Sequence, residues 1–274
     1  MIIVADNLHV MQPAFARAIE RMDPEPVRKM VRECIGCGAQ ALDINPGPLP
    51  KRPEERMIFL VETIRAMTDL PLLLDTVNAE AMAAGLKACR GRRIINGFSL
   101  EPNKLDGILP LARHYDTDII GYLLHSNSQV PIDAAEMMEV AVDLFGAYTD
   151  AGLDPGRLII DPVVAPLSWQ DGARHNRAVL NVIGTLPDLL GVPVRTIAGI
   201  SNLASGPVPA ARKIELECTF LPMLAAAGLD MALTNVRHIA TVETAKTCNG
   251  LLGEQIYAWA AQAPVPGGQG HHRA

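Results

Sequence analysis

The sequence is poor in aromatic residues and has no long uncharged apolar run. Aromatic side chains make up 4% of its 274 residues, although apolar residues as a whole make up 49%. The core must therefore be built from Ala, Leu, Ile, Val and Met, which is typical of helices packed around a parallel sheet. The longest apolar segment, CTFLPMLAAAGL, is shorter than the roughly 18–20 residues that span a bilayer. We therefore interpret it as a core helix.

The charge pattern lacks a basic patch. Twenty-four Lys and Arg residues against 30 Asp and Glu residues give a net charge of −6, which argues against nucleic-acid binding and against attachment to anionic membranes. The five cysteines are odd in number and scattered, as expected for free thiols in a reducing compartment. The first residues, MIIVADNLHV, lack the basic segment of a secretory signal. We therefore expect a cytoplasmic protein that binds neither nucleic acid nor membrane.

Metal-ligand patterns are also missing from the sequence. The pair His271-His272 lies in the Pro/Gly-rich segment APVPGGQGHHRA, and two adjacent ligands do not form a site. A four-cysteine pattern for an iron–sulfur cluster is absent as well. We therefore expect no metal site in this chain.

Short β-like runs alternate regularly with longer helical stretches. The predicted strands are 2–4, 41–45, 72–76, 93–99, 118–124, 157–163, 195–202 and 230–235. The predicted helices are 24–37, 53–68, 79–89, 101–115, 133–151, 173–190, 210–227 and 241–261. This alternation predicts a parallel sheet, and eight units without a linker predict one α/β domain, a single (β/α)8 TIM barrel. We expect the barrel to cover residues 1–262, followed by a disordered tail at 263–274.

Polar side chains recur where the predicted strands end, and a TIM barrel carries its function at those ends. Asp75, Asn96 and Asp161 stand in apolar runs, where a carboxylate is costly unless it is paired or faces a polar cavity. Any one of them could instead cap a helix. As a set they predict a pocket of acceptors and amides without positive charge, with Lys104 and Lys213 on helix surfaces. Such a wall favours a flat, nitrogen-rich heterocycle such as a pterin. Two adjacent N–H groups of that ring can donate a pair of hydrogen bonds to one carboxylate.

Several motifs at these positions carry a family resemblance. Among them are ALDINPGP (41–48), INGFSLE (95–101), LIIDP (158–162) and GISN (199–202), in family order. They resemble the pterin-binding domains, and within these the methyltetrahydrofolate:corrinoid protein methyltransferases. The resemblance implies that the barrel binds the pterin of folate in its C-terminal mouth. The residues it implies for pterin binding are Asp75, Asn96, Asp161, Gly199 and Ser201.

The resemblance also implies the chemistry. A methyl group would move between N5 of methyltetrahydrofolate and the cobalt of a corrinoid, with Asn202 as the catalytic residue at N5. A hydrogen bond that strengthens in the transition state would assist the reaction. No strong acid is evident beside Asn202, so the proton is expected from solvent. Because the chain lacks the Asp-x-His-x-x-Gly signature of corrinoid domains, the corrinoid is expected on a separate partner protein. A homodimer is also expected.

The chain departs from the family pattern at several positions. The usual Gly-Glu-Arg-Ile-Asn of strand one is replaced by the residues Ala5 to His9, and Val-Ser-Gln after Ser-Asn is replaced by Leu203 to Ser205. Asn235 stands where an Asp is frequent, and Arg212 aligns loosely with a family arginine. The roles of His9, Ser205, Arg212 and Asn235 are therefore open, as are the cognate partner and the direction of transfer.

Two alternatives remain open. Dihydropteroate synthases share the fold but need a Lys at the end of strand seven and an Arg at the end of strand eight, where this chain has Ser201-Asn202 and Asn235. A non-catalytic folate-binding scaffold is the other alternative, and turnover would distinguish it from an enzyme.

Overall fold

The computed structural model describes residues 1–253 and closes eight parallel strands into a barrel in sequence order. The eighth strand pairs with the first, which completes the ring and confirms the predicted TIM barrel. The strands are β1 Ile2–His9, β2 Ala41–Asn45, β3 Leu72–Asp75, β4 Arg93–Phe98, β5 Asp118–Tyr122, β6 Leu158–Asp161, β7 Arg195–Gly199 and β8 Met231–Thr234.

Helices cover the outside of the barrel. Proline begins several of them, at a position where its missing N–H needs no partner. None of the helices in residues 1–253 is long and apolar enough to cross a membrane. The helices are α1 Pro13–Arg21, α2 Pro24–Gly36, α3 Pro53–Arg65, α4 Ala79–Ala88, α5 Pro102–Gly107, α6 Leu109–His114, α7 Ala134–Asp150, α8 Gly172–Leu190, α9 Ala210–Ala226 and α10 Ile239–Leu252.

The structure corrects the prediction for the first βα unit in two places, at the end of β1 and at the first helix. Strand β1 extends to His9 instead of ending at residue 4, because Asp6 and Asn7 belong to the strand and not to a turn. Helix α1 is an addition to the prediction, in which the first helix begins at Pro24. The end of the predicted helix 241–261 and the tail 263–274 lie outside the described residues, so the domain boundary stays a prediction.

Two further corrections concern the residues at which a helix and a strand end. The predicted helix 101–115 is split into α5 and α6, and Pro110 in the first turn of α6 lacks the N–H that one continuous helix would need. Strand β7 ends at Gly199, and the sequence had extended it to residue 202. Ser201 and Asn202 lie instead in a 3-10 helix, Ile200–Ala204.

Side chains inside the barrel form two layers, because residues two apart on a strand face the same side. The lower layer is an apolar cluster, Val4, Ala41, Leu73, Ile94, Ile120, Ile159, Ile197 and Met231. The upper layer lies two residues further along every strand: Asp6, Asp43, Asp75, Asn96, Tyr122, Asp161, Gly199 and Leu233. The lower layer closes the barrel, so the upper layer forms the floor of an open mouth.

Candidate functional site

The upper layer faces a cavity of about 570 Å³ at the carboxyl ends of the strands. The last residues of two strands, together with loops and helices, complete its wall: His9, Val10, Met11, Asn45, Ser205, Lys213, Glu217, Asn235 and His238. The structure also brings together in this cavity all the residues that the sequence predicts for the site, namely Asp75, Asn96, Asp161, Gly199, Ser201 and Asn202.

One side of the mouth, which we call the β2–β6 arc, consists of the polar residues Asp43, Asp75, Asn96, Tyr122 and Asp161. Hydrogen bonds connect three of them, Asp43, Asn96 and Tyr122. The Tyr122 hydroxyl donates to Oδ1 of Asn96 at 2.5 Å. Nδ2 of Asn96 donates in turn to Oδ1 of Asp43 at 2.8 Å. The amide of Asn96 is therefore held in one orientation, with a donor and an acceptor position still free for a ligand.

Glycine at position 97 allows β4 to carry Asn96 into this arc. The pairing of β4 with β5 shifts register between Asn96 and Phe98. A Cβ atom at Gly97 would lie 2.3 Å from the backbone oxygen of Ile120, which is far inside van der Waals contact. Only glycine therefore fits the close approach of the two strands at this point.

Burial raises the pKa of the carboxyl groups of the arc, because it disfavours their charged forms. The pKa of Asp161 is raised to about 7 by burial, against a smaller lowering by the hydrogen bond from the Val163 N–H. Burial, and then repulsion from Asp75, raise the pKa of Asp43. Burial also raises the pKa of Asp75, although Lys104 and a hydrogen bond from Asn45 oppose the shift. A ligand with N–H groups would favour the ionised forms.

The other side of the mouth, Gly199, Leu233 and Asp6, is more open, and we call it the β7–β1 arc. A Cβ atom at Gly199 would lie 3.0 Å from Nδ2 of Asn202, so the Asn202 amide is folded closely over the backbone of β7. Asn202 itself is exposed to the cavity. Because residue 199 has no side chain, the Asn202 amide can lie this close to the strand.

Asp6 faces the mouth by the regular alternation of β1, two residues beyond Val4. The pairing of β1 with β2 shifts register between Ala5 and Leu8, so β1 carries an extra residue in this stretch. Oδ2 of Asp6 accepts a hydrogen bond of 2.7 Å from the Ser201 hydroxyl. The structure thus places a carboxyl group next to the Ser201-Asn202 pair, where the sequence had indicated no acid.

A second buried network lies behind this arc. The carboxylate of Glu217, which is 1% exposed, lies 2.7 Å from Nδ1 of His238 and accepts from the Thr241 hydroxyl at 2.9 Å. Asn235 accepts from Nδ2 of Asn7 at 2.6 Å. Asn7 and Asn235 therefore connect β1 to the loop after β8, which gives structural roles to two positions that depart from the family pattern.

The mouth contains one lysine, which corrects the predicted absence of positive charge. Lys213, in the first turn of α9, lines the cavity and is half-buried; the sequence had placed it on a helix surface. Arg212 does not line the cavity and is paired with Glu215 at 2.6 Å. Lys213, and not Arg212, is therefore the cationic side chain of this segment that lines the cavity.

Sequence reasoning missed several lining residues, among them Tyr122, Glu217 and His238. The signal for Tyr122 was available, since it lies two residues beyond Ile120 just as Asp161 lies two beyond Ile159. Glu217 and His238 give no comparable signal, because Glu217 lies in α9 and His238 lies in the turn before α10. Within residues 1–253, no three His, Cys, Asp or Glu residues are grouped to hold a metal ion. His271 and His272 lie outside the described part.

A larger groove of about 730 Å³ lies on the outer surface. It is lined by Tyr115, by three residues of α3 and by six residues of α4, four of which are alanines; its charged residues are Glu54, Glu62, Glu80 and Lys87. Its polar groups belong to exposed helix faces and do not converge. The convergent hydrogen-bonded groups of the barrel mouth therefore identify the mouth as the functional site.

Comparison with known proteins shows the family of the chain. The pterin binding enzyme family matches residues 11–235. The chain is 25% identical over 236 residues to the methylcorrinoid:tetrahydrofolate methyltransferase of Eubacterium limosum, covering 85% of this chain and 84% of that protein. It is 26% identical over 213 residues to the dihydropteroate synthase of Mycobacterium leprae, covering 71% of each.

Two more comparisons define the limits of this similarity. The chain is 25% identical over 237 residues to the methionine synthase of Mycobacterium tuberculosis, but the match covers only 19% of that longer protein. A dihydropteroate synthase structure from Xanthomonas albilineans superposes with a TM-score of 0.65 at 23% identity, over 93% of both chains. At this identity the structural match shows a shared fold and no more.

Proposed function

The chain belongs to the pterin binding enzyme family, and we propose that it moves a methyl group between N5 of methyltetrahydrofolate and the cobalt of a separate corrinoid protein. The observation that carries the proposal is the position of Asn202, folded over Gly199 at the edge of a cavity whose opposite wall suits a pterin. The homodimer remains a prediction.

The β2–β6 arc supports pterin binding through its donor and acceptor pattern. We propose that Asp75 and Asp161, once ionised, accept hydrogen bonds from adjacent N–H groups of the pterin ring, as carboxylates do from a guanidinium group. Asn96, held between Tyr122 and Asp43, would pair with a mixed donor and acceptor edge. Gly199 and Ser201 would lie beside the ring, where small residues leave room.

Asn202 would then act on the nitrogen that carries the methyl group. A tertiary amine is a poor leaving group, and its departure becomes easier as the nitrogen gains positive character. A hydrogen bond from the amide that strengthens as the N–CH3 bond breaks would lower the barrier. The incoming nucleophile is the Co(I) centre that the partner protein presents at the open mouth.

Electrostatics favour methyl transfer over the dihydropteroate synthase alternative. That reaction releases pyrophosphate, and here Asp6, Asp43, Asp75, Asp161 and Glu217 line the cavity with Lys213 as the lone Lys or Arg side chain among its described lining residues. A polyanion is poorly stabilised in such surroundings. Methyl transfer needs no binding site for an anionic leaving group.

The test mixes the protein with methyltetrahydrofolate and cob(I)alamin under strict reduction and follows the loss of Co(I) absorbance. We expect transfer by the wild type and a decrease of at least about tenfold for Asn202→Ala, with folate affinity retained. Binding of folate without transfer would indicate a folate-binding scaffold. Condensation of a pterin pyrophosphate with p-aminobenzoate would instead identify a synthase. If the protein shows neither activity and does not bind folate, the pterin assignment is refuted.

A further inference from the structure

Asp6 is a carboxyl group in the mouth to which pterin binding gives no role. Its hydrogen-bond partner in the described structure is Ser201, and among residues 1–253 it takes part in no ion pair within 4.0 Å. A carboxylate that is partly removed from water and has no ion-pair partner favours its protonated form. In agreement, burial raises the pKa of Asp6, and the Ser201 hydrogen bond opposes this shift only in part.

The geometry connects this group to the reacting atom. Ser201 precedes Asn202 in the same 3-10 helix, and both residues line the same cavity, so one ligand in the mouth can face the Asn202 amide and the Ser201 hydroxyl. When Asp6 is ionised, the hydroxyl donates to it, as observed. When Asp6 is protonated, it can donate to Oγ of Ser201, and the hydroxyl hydrogen is then free to point to the ligand.

We propose that Asp6 is the proton donor of the methyl transfer and delivers its proton to N5 of the pterin through the Ser201 hydroxyl. This inference rests on the proposed function. The O–H bond of Asp6 breaks, Oγ of Ser201 takes that proton, and the hydroxyl gives its own proton to N5. The electron pair of the N5–CH3 bond stays on nitrogen and forms the new N–H bond.

The remaining atoms balance in the same step. The methyl group is taken by Co(I), which supplies the electron pair of the new Co–C bond, and Asp6 is left as a carboxylate. Water reprotonates it before the next turnover. In the reverse direction the carboxylate accepts the proton of tetrahydrofolate by the same route, so Asp6 then acts as a base.

Other charged groups surround Asp6 and tune its proton affinity. His9 on β1 and His238 at the start of α10 lower its pKa, whereas Glu217 on α9 raises it. Asp43 on β2 interacts with it across the floor of the mouth, and Lys213 on α9 lines the same cavity. Because Asp6 must be protonated to act as an acid, transfer from methyltetrahydrofolate should slow as pH rises through its pKa.

The decisive variant is Asp6→Asn. An asparagine oxygen can still accept the Ser201 hydrogen bond, so a purely structural contact survives while the acid is lost. We expect the single-turnover rate at saturating methyltetrahydrofolate to fall about 100-fold or more and the decline of that rate at high pH to disappear. Asp6→Glu restores a carboxylic acid and should recover the rate to within about tenfold of wild type, together with the pH dependence.

Asp230→Asn is a matched control. Like Asp6, Asp230 accepts a side-chain hydroxyl hydrogen bond, but from Thr196 of β7 at the opposite end of the barrel; the N–H and hydroxyl of Thr196 lie 2.8 and 3.2 Å from it. Its replacement should leave the rate and its pH profile unchanged. If Asp6→Asn transfers within about threefold of wild type with the same pH profile, the relay is overturned and the methyl-transfer proposal stands. If wild type binds folate but transfers no methyl group to Co(I), either in cob(I)alamin or in a corrinoid protein, both proposals fail.

Discussion

The two arcs of the barrel mouth differ in how their polar groups are held. In the β2–β6 arc, Tyr122, Asn96 and Asp43 fix one another through short hydrogen bonds. In the β7–β1 arc, Gly199 and Leu233 leave space, and Asp6 depends on the Ser201 hydroxyl. One arc is rigid and suited to recognising a planar ring, while the other is open and can exchange a proton. Recognition and chemistry are thus separated across the cavity.

This separation predicts opposite pH dependences for the two arcs. The pKa of Asp161 is raised to about 7, and the proposed pterin contact needs its ionised form, so folate affinity should increase as pH rises through 7. Proton donation by Asp6 requires the protonated form, so transfer within the bound complex should slow as pH rises. Affinity and single-turnover rate, measured at the same series of pH values, would distinguish the two.

The largest effect is expected for Asp161→Asn. The variant replaces an ionisable acceptor by a neutral amide, whose NH2 group can also face the N–H groups of the pterin. Charge-assisted pairs are the strong ones, so folate affinity should fall about 100-fold or more. Isothermal titration at pH 8 measures this. An affinity within about threefold of wild type would mean that the pterin edge does not contact Asp161.

The same variant should stabilise the free protein above neutral pH. The pKa of Asp161 is higher in the folded protein than in the unfolded chain, so the folded state binds more protons between about pH 4 and 7. The wild type therefore loses stability as pH rises through this window. Removing the ionisable group should raise the free energy of unfolding at pH 8 by about 1 kcal/mol or more, with little change at pH 4.

Asp154→Asn provides the control for this stability effect. Asp154 accepts from the N–H of Gly156 at 3.0 Å, just as Asp161 accepts from the N–H of Val163 at 2.7 Å, but it is exposed. Denaturant unfolding at both pH values should show no pH-dependent gain in this variant. An equal gain in both variants would attribute the effect to the turn and not to burial.

An intermediate effect is expected for Gly199→Ala, which disturbs the β7–β1 arc alone. The new Cβ would lie 3.0 Å from Nδ2 of Asn202, so the amide must move by a few tenths of an ångström. We expect the transfer rate to fall about tenfold while folate affinity changes less than about threefold. In the control Gly184→Ala, the added Cβ meets the Ala227 oxygen at an ordinary 3.5 Å, so rate and affinity should stay unchanged.

The sequence was sufficient for the barrel and for much of its mouth, because the strands repeat one pattern. An apolar residue followed two positions later by a polar one, as in Leu73 and Asp75, marks both the buried strand and its functional end. The Asp6–Ser201 contact could not be read in this way. It joins residues 195 positions apart and depends on a 3-10 turn after β7, which a periodic pattern does not encode.

The smallest effect is expected for Tyr122→Phe, which loosens the β2–β6 arc without removing a contact proposed for the pterin. Burial raises the pKa of Tyr122 well above 10, so its hydroxyl stays protonated and donates to Asn96. A neutral hydrogen bond is worth about 0.5–1.5 kcal/mol, so folate affinity should fall about 2- to 10-fold. The transfer rate at saturation should not change.

In the control Tyr148→Phe, a hydroxyl that donates to the Asp154 carbonyl at 2.7 Å is lost outside the mouth, which should lower stability and leave affinity unchanged. Equal affinity losses in the two variants would mean that the orientation of Asn96 does not matter, and the arc would then recognise its ligand through carboxylates alone.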